Sequence, residues 1–225
     1  MIKSKNRGWF LLPKSFRLLF GGILSFNVIW WLLAIVFNNK ALPNPIDVYS
    51  TLPKTLSQGM FDHSMASLQR ILIGVFIALA LGMVGGLLTG LSKKANKLLN
   101  PLLYLSYPIP KLALLPVVMI IFGIGETTKV VMIVLIIVFQ IIISIRDAIR
   151  NIDKENYYVL STLGASKAQQ IWHVVLPGIL PETLSALRVS VGIATSVLFV
   201  TETFGTDKGL GFFIVDAWMR IDYLA

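Results

Sequence analysis

The chain has 225 residues, of which 56% are hydrophobic and 14% charged, and its mean hydropathy is +0.77. Soluble domains contain roughly 45–50% apolar and about 25% charged residues, so this composition excludes disorder, a fibrous repeat and almost any soluble enzyme of this size. Cysteine is absent, which excludes a disulfide framework, a thiolate metal site and a cysteine nucleophile. The net charge of +9 fits basic residues on the cytoplasmic side of a membrane better than it fits nucleic-acid binding.

Five stretches are apolar enough to cross a membrane, which takes about 20 residues in an α-helix. Each must be helical, because lipid offers no hydrogen-bond partner to bare peptide groups. The stretches are residues 18–39, 71–92, 98–125, 130–145 and 183–203. They predict an all-α fold, a polytopic membrane helix bundle in which residues 18–225 form a single transmembrane domain.

Basic residues predict the orientation of this bundle. Residues 1–17 contain lysines and arginines and no acidic residue, and the segments after the second and fourth spans are also basic. These three segments alternate correctly, so they are predicted to be cytoplasmic. A basic start followed by an apolar run also resembles a signal peptide, but the run is too long and lacks a small-residue cleavage site. We therefore predict an uncleaved anchor, with a cytoplasmic N-terminal segment 1–17, in a multi-pass membrane protein.

The longest predicted cytoplasmic loop, at about residues 146–181, has the pattern of two short helices. Residues 153–163 favour a helix, and Gly164 then ends it. Ser166 can cap a second helix, because Gln169 three residues later completes a capping box. One face of that second helix is predicted to carry Ala168, Ile171, Trp172 and Val175. The pattern predicts a rigid helical elbow, bounded by Pro177 and Pro181, that suits contact with a cytoplasmic partner.

This elbow resembles the EAA loop of ABC importer permeases, because Gly164 is followed twelve residues later by Leu176 and Pro177. Val174 occupies the position of an isoleucine in that pattern, and residues 158–160 occupy the E-A-A positions, from which they depart. On this resemblance the ATPase-coupling residues are Tyr158, Val159, Leu160, Leu163, Gly164, Ala165, Ser166, Val174, Leu176 and Pro177.

Further motifs occur in the order found in the nitrate, sulfonate and taurine branch of those permeases, from about residue 40 onward. They are Ser67 to Arg70 with Gly74, the proline-rich stretch 107–116, Phe122 to Glu126, Leu163 to Ser166, and Glu202 ahead of Gly209-Leu210-Gly211. The resemblance implies a type I ABC importer permease fold. Members of this family usually have a sixth span after the Gly-Leu-Gly segment, so we expect five visible spans and an apparently missing sixth at the C-terminus.

The resemblance also implies a location in the bacterial plasma membrane. It further implies an assembly of two permease subunits, a homodimer in preference to a heterodimer, with two cytoplasmic ATPases and an extracellular or periplasmic solute-binding protein. ATP and Mg would belong to the ATPase, and we expect no cofactor, catalytic residue or metal site in this chain. The sequence has no G-x-x-x-x-G-K-[ST] phosphate loop, in agreement with that expectation. His63 and His173 are predicted to lie on opposite sides of the membrane, which argues against a histidine metal site. We expect no nucleic-acid partner.

Four ionisable residues in or near the spans are candidates for the translocation path: Arg70, Lys111, Arg188 and Glu202. Arg70 could equally lie among lipid head groups, and Lys111 could extend to the inner interface. Arg188 is predicted to face protein or water, because an arginine facing lipid deep in a span costs at least about 2.5 kcal/mol. Two rival functions remain. A self-sufficient secondary carrier or channel would not need the elbow, and a membrane enzyme would need a clustered polar site, which the sequence does not show. The sequence does not identify the solute.

Overall fold

The computed structural model describes residues 14–106 and 108–224, with side chains from residue 16 onward, so most of the predicted cytoplasmic segment 1–17 lies outside the described residues. The described residues form helices and no strands, which confirms the all-α fold. The α-helices are α1 (Lys14–Phe37), α2 (Pro45–Thr55), α3 (Phe61–Leu91), α4 (Lys93–Leu105), α5 (Leu115–Phe122), α6 (Glu126–Asn151), α7 (Lys154–Thr162), α8 (Lys167–Gln170), α9 (Leu176–Glu202) and α10 (Leu210–Met219).

Four helical stretches of the described chain are long and apolar enough to cross a membrane. They are Phe16–Phe37, Pro45–Leu91, Glu126–Asn151 and Lys167–Glu202. They contain or overlap the predicted spans 18–39, 71–92, 130–145 and 183–203. The second stretch bends at Gly59, whose φ of 103° separates α2 from α3.

The predicted span 98–125 is not one helix, and that expectation is wrong. The chain forms α4, leaves helical geometry before Lys111, and resumes with a short 3-10 helix (Lys111–Leu114) that leads into α5. Pro108 and Pro110 account for the interruption, because a proline lacks the amide donor and disfavours helical geometry at the residue before it. Both resulting helices are shorter than a membrane-spanning helix.

The described residues divide into two compact units, and the smaller comprises 14–60 and 216–224. In this unit the Trp30 indole donates to the Pro43 carbonyl at 3.1 Å, and the Tyr49 hydroxyl donates to Asn27 Oδ1 at 2.8 Å. These two bonds connect α1 with α2 and with the loop between them. Thr51 also donates to the Leu224 carbonyl at 3.2 Å, which holds the end of the described chain beside α2.

The larger unit, residues 61–215, is built around α6, which packs against both α3 and α9. Its fully buried isoleucines on one side of α6 form the centre of the core: Ile133, Ile137, Ile141 and Ile145. Four glycines of α3 lie against isoleucines of α6 in a constant register: Gly74 on Ile133, Gly82 on Ile141, Gly86 on Ile145, and Gly90 on Ile149. Small residues four apart therefore serve close helix packing here, as their G-x-x-x-G spacing predicts.

This register shows that α3 and α6 run parallel. The chain between them, residues 92–125, must therefore return along the bundle from the end of α3 to the start of α6. In contrast, α9 runs antiparallel to α6, because Gly178 near its start lies against Ile152 just after the end of α6. The broken stretch 92–125 thus provides the third passage along the bundle that the sequence analysis assigned to a single helix.

Candidate functional site

An ion cluster lies at the end of the bundle where α6 begins and α9 ends. It consists of Ser67 and Arg70 of α3, Glu126 and Lys129 of α6, and Glu202 of α9. The sequence motifs that contain these residues are separated by up to 135 positions, yet the fold brings them together. The cluster holds two cations and two carboxylates, so its charges balance within the bundle.

Arg70 is the centre of this cluster, and its side chain is 5% exposed. Its Nε and Nη2 donate to the two carboxylate oxygens of Glu126, in the planar, bidentate arrangement that suits a guanidinium group. Its Nη1 donates to Glu202 Oε1 at 2.6 Å and to the Lys208 carbonyl at 2.8 Å. One arginine therefore joins α3, α6, α9 and the loop that precedes α10.

Glu202, whose side chain is 1% exposed, accepts hydrogen bonds from several directions. The Ser67 hydroxyl donates to its carboxylate at 2.8 Å, and the Gly211 amide donates to Oε2 at 2.8 Å. The Leu210 amide in turn donates to Ser67 Oγ at 2.8 Å. The first amides of a helix have no partner within it and favour negative charge nearby, so Glu202 and Ser67 cap the start of α10.

Glycine is required at positions 209 and 211 because the backbone approaches Glu202 so closely. A Cβ at Gly209 would collide with the Glu202 carboxylate, and one at Gly211 would collide with the Phe199 carbonyl and lie 2.8 Å from the Glu202 Cβ. Gly209 also has a φ of +125°, which residues with a side chain rarely adopt. Its amide donates to His63 Nδ1 at 3.1 Å. The predicted Gly-Leu-Gly motif thus acts as the backbone that closes over the buried carboxylate.

Lys129, the second cation of the cluster, is also buried. Its Nζ donates to the Gly125 carbonyl at 3.2 Å and lies 3.8 Å from Glu126 Oε1. Glu126 is 66% exposed on its side chain, in contrast to Glu202. A cavity of about 640 Å³, lined in part by Asp62, Arg70, Glu126 and Lys208, opens next to it. The cluster therefore has a buried half at Glu202 and a half at Glu126 that borders open space.

At the other end of the same bundle, the elbow has the predicted local structure. The chain turns after α7 through Gly164, whose φ is +74°, and the Ala165 amide donates to the Leu160 carbonyl at 3.0 Å. Ser166 and Gln169 form both hydrogen bonds of the predicted capping box at the start of α8. The Gln170 side-chain Nε2 also donates to Ser161 Oγ at 3.1 Å, which connects the two arms of the elbow, α7 and α8.

The second arm of the elbow differs from the prediction in two respects. It continues through a π-helical turn (Ile171–Val175) into α9, with Pro177 in the first turn, so Pro177 does not separate two helices. The expected common face is also divided, since Val175 is fully buried and Ile171 packs against the core while Trp172 is 69% exposed. A proline without its amide fits the first turn of a helix, which explains the continuity.

The first arm of the elbow, α7, packs against the core on one side and is exposed on the other. Tyr157 packs against the core, and its burial raises the pKa of the phenol. Neighbouring apolar side chains point outward instead: Tyr158, Val159 and Leu163 are 63–77% exposed. The elbow therefore presents apolar side chains on a fixed backbone, although the E-A-A positions 158–160 carry no acidic residue.

The structure brings together Arg70 and Glu202 among the four predicted path residues and places the other two elsewhere. Lys111 is half-buried, with its Nζ 5.1 Å from the centre of the Phe139 ring, near the middle of α6. Arg188 is exposed on α9. Arg70 itself is buried in the ion cluster and is not placed among lipid head groups.

Lys129 was not among the candidate residues, and the pairing of Glu126 was not foreseen, although Glu126 ends one of the motifs quoted above. Both lie at the start of α6, where Glu126 pairs with Arg70 of α3 and Lys129 lies beside Glu126. Arg146 was counted as a basic residue of a cytoplasmic loop, yet it is buried in α6 and donates to Asn100 Oδ1 at 2.6 Å and Asp147 Oδ1 at 2.8 Å. The helical pattern of α6 could have identified the buried basic residues, because the apolar run continues to both ends of this helix, where Lys129 and Arg146 lie. In the described part of the chain no group of three histidine or carboxylate side chains is arranged to hold a metal ion.

The chain is similar in sequence to known membrane transport proteins. Residues 71–225 match the family described as binding-protein-dependent transport system inner membrane component. The chain is 35% identical to the taurine transport system permease protein TauC of Escherichia coli, over 96% of this chain and 82% of that protein. It is 33% identical to the putative aliphatic sulfonates transport permease protein SsuC of Bacillus subtilis, over 81% of this chain and 66% of that protein. It is 28% identical to the nitrate import permease protein NrtB of Synechococcus elongatus, over 86% of this chain and 73% of that protein.

These matches confirm the resemblance found in the sequence. The protein is a multi-pass inner membrane protein, and it is a transport subunit, not an enzyme, since ATP hydrolysis lies with a separate ATPase. The chain belongs to the inner membrane components of binding-protein-dependent transport systems, the permease subunits of ABC importers.

Proposed function

We propose that the elbow, residues 153–177, is the surface on which a separate cytoplasmic ATPase drives this permease. Two copies of the chain would form the translocation path, and an extracellular or periplasmic binding protein would deliver the solute to the end that carries the ion cluster. ATP and Mg would be held by the ATPase. This arrangement requires the N-terminus and the elbow on the cytoplasmic side, as the basic residues indicate.

The observation that carries this proposal is the set of exposed apolar side chains on the elbow. Tyr158, Val159, Leu163 and Trp172 are each at least 63% exposed in the single chain. These side chains lie on both sides of the turn at Gly164, and polar residues precede them at the start of α7 and of α8. Backbone hydrogen bonds fix the shape of this turn. Apolar side chains on a rigid, polar-rimmed surface mark a protein contact, and aromatic residues are the most frequent contributors of binding energy there.

The fold provides a continuous route from the elbow to the ion cluster. The second arm of the elbow passes through the π-helical turn into α9, and α9 ends at Glu202. The first arm is attached to the core through Tyr157. Movement of the elbow would therefore displace α9 as a packed element, and the ion pairs of Arg70 would carry that displacement to α3 and α6. No covalent chemistry in this chain is needed.

The relatives support only a class of small solutes for this chain and no single solute. Small solutes such as nitrate, sulfonates and taurine are proposed, with bicarbonate and small heterocyclic precursors as further members of the range. Specificity in such importers resides largely in the binding protein, so the ligand of the binding protein that works with this chain identifies the solute.

The test uses the glycine at the turn of the elbow. Gly164→Val should abolish or strongly reduce co-purification of the ATPase, because a β-branched residue resists the φ of +74° and would distort the docking surface. Gly164→Asn is the matched control, because asparagine tolerates this conformation, and it should retain the ATPase. Equal membrane insertion of both variants is measured in parallel. Unchanged co-purification of the ATPase with Gly164→Val would remove the elbow from the mechanism.

A further inference from the structure

Arg188 lies near the middle of a membrane-spanning helix. At a helical rise of roughly 1.5 Å per residue, it is about 21 Å along α9 from Glu202 and about 16 Å from Pro177. Gly178 lies against Ile152 at one end of the helix pair, and Glu126 and Glu202 bind the same arginine at the other. Interpolation between these contacts places Arg188 level with the middle of α6, about where Ile141 meets Gly82 of α3.

The side chain of Arg188 is exposed, and within the described residues it has no hydrogen bond, ion pair or ring contact. The other basic residues of the bundle interior do have partners. Arg70 binds two glutamates, Lys129 binds a carbonyl, and Arg146 binds Asn100 and Asp147. Arg188 therefore presents an uncompensated positive charge at mid-span on the surface of a single chain.

Arg188 belongs to a polar stripe that runs along α9. The exposed members of the stripe recur every three or four residues: Ser185, Arg188, Gly192, Thr195 and Ser196. They lie on the side of the helix opposite its buried residues, which include Thr183, Ala186, Ser190, Ala194 and Val197. The hydroxyls of Thr195 and Ser196 donate to carbonyls one turn back, at 2.9 and 3.1 Å, and keep their oxygen lone pairs outward. A Cβ at Gly192 would meet no atom within 4 Å, so the stripe has open space beside it.

This stripe does not suit contact with lipid. An arginine facing hydrocarbon at this depth would be costly even on the scale that assigns it the least penalty, and three hydroxyl residues lie within two turns of it. A water-filled or protein-covered surface is the alternative. If two copies of the chain meet with two-fold symmetry, each stripe faces its own copy, and the two guanidinium groups then require an anion between or beside them.

We propose that Arg188 binds the anionic group of the transported solute within a water-filled path between two copies of the chain, and that the solute is accordingly a small oxyanion or carries one. The inference rests on the proposed function of this chain as the path-forming subunit. A planar guanidinium group presents paired donors that match the oxygens of a sulfonate, nitrate or carboxylate, and the absence of an internal partner leaves these donors free. A neutral heterocyclic solute would gain nothing from this residue.

The experiment measures the electrostatic environment directly, and the absence of native cysteine in the chain makes it clean. Ser185→Cys and Ser196→Cys are introduced separately into the full chain in complex with its ATPase. Each cysteine variant is prepared in three forms, with native Arg188, with Arg188→Lys or with Arg188→Gln. Rates of modification are measured with an anionic and a cationic water-soluble methanethiosulfonate of similar size. Ser57→Cys, at an exposed position between α2 and α3, supplies the intrinsic ratio of the two rates.

We expect both cysteines to react, and the anionic reagent to be favoured over the cationic one by about tenfold relative to Ser57→Cys. Arg188→Lys should keep that preference and Arg188→Gln should lose it. If the cysteines react but the ratio of anionic to cationic modification rates is the same with Arg188→Gln as with Arg188, the proposal is overturned. The path would then admit water without Arg188 selecting anions. Reaction with lipid-soluble reagents alone, or disulfide formation between two copies without reagent access, would also overturn the proposal.

The same preparations separate this inference from the function on which it rests. Retention of the ATPase by each Arg188 variant shows that the permease assembly is intact whatever the ratio of rates. Loss of the ATPase from the chain that carries native Arg188 would instead count against the proposed function itself.

Discussion

The two ends of the larger unit are stabilised in opposite ways. The ion cluster joins residues from distant parts of the sequence through buried charges, each with its partners, and leaves little of Arg70 or Glu202 exposed. The elbow is held by hydrogen bonds between residues close in sequence, such as the capping box of Ser166, and leaves its apolar side chains exposed. One end is therefore complete within the chain, while the other is a surface that a partner would cover. The same helices thus carry a self-contained end at the ion cluster and, at the elbow, an end that suits a partner.

The largest expected effect comes from breaking the ion cluster. Glu202→Ala leaves Arg70 short of a carboxylate in a buried site and removes the cap of α10, at a cost of about 3–5 kcal/mol. For a chain of this size this should lower the apparent Tm in detergent by about 10 °C. Asp216→Ala is the control, because it removes the exposed Asp216–Arg220 pair, which contributes less than about 1 kcal/mol. Equal Tm values for the two variants would show that the cluster does not stabilise the fold.

A smaller difference distinguishes the two turns that need glycine. Gly164→Ala should cost about 1–2 kcal/mol, because its Cβ meets no atom within 4 Å and the cost is that of a positive φ alone. Gly209→Ala adds a collision with the Glu202 carboxylate to the same kind of strain and should be clearly more destabilising. Apparent Tm values of both variants, measured under the same conditions as for Glu202→Ala, check the order. The reverse order would mean that the loop before α10 relaxes away from Glu202.

The smallest expected effect concerns the local order of the elbow. Ser166→Ala removes the cap of α8, at about 1 kcal/mol, and should raise the hydrogen-exchange rate of the amide of Gln169 by about fivefold. Thr162→Ala is the matched variant in the same elbow, since its hydroxyl bonds only to the carbonyl of Val159 one turn back. It should leave exchange at Gln169 unchanged. Equal exchange rates in both variants would argue that the capping box does not hold the elbow.

The parts of the fold that depend on neighbouring residues could be predicted from the sequence. The capping box follows from the three-residue spacing of Ser166 and Gln169, and the turn follows from Gly164, which ends the first helix of the elbow. The broken third passage carried a local signal too, in Pro108 and Pro110, but an apolar run of sufficient length dominated the interpretation. Two prolines only two residues apart are strong evidence against a continuous helix, whereas the single prolines Pro101 and Pro181 lie within α4 and α9.

The ion cluster could be predicted only in part. Arg70 and Glu202 were singled out because ionisable residues near spans are unusual, yet nothing in their spacing shows that residues 132 positions apart form an ion pair. That pairing depends on α3 and α6 running parallel, which in turn depends on how the passage between them returns. The pairing of Glu126 with Arg70 could not be predicted for the same reason, since Arg70 lies on a helix that the sequence does not place beside α6.

The contact between the elbow and a separate ATPase is the central claim, and single cysteines test it most directly. A photoreactive maleimide is attached to Leu163→Cys or Trp172→Cys, two positions at which the side chains are 77% and 69% exposed, in the full chain co-purified with its ATPase. Ile120→Cys, on α5 and 85% exposed, is the control for non-specific capture. Illumination should attach the ATPase to positions 163 and 172 and leave position 120 without it. Equal attachment at position 120, or none at position 163, would contradict the assignment of the elbow as the coupling surface.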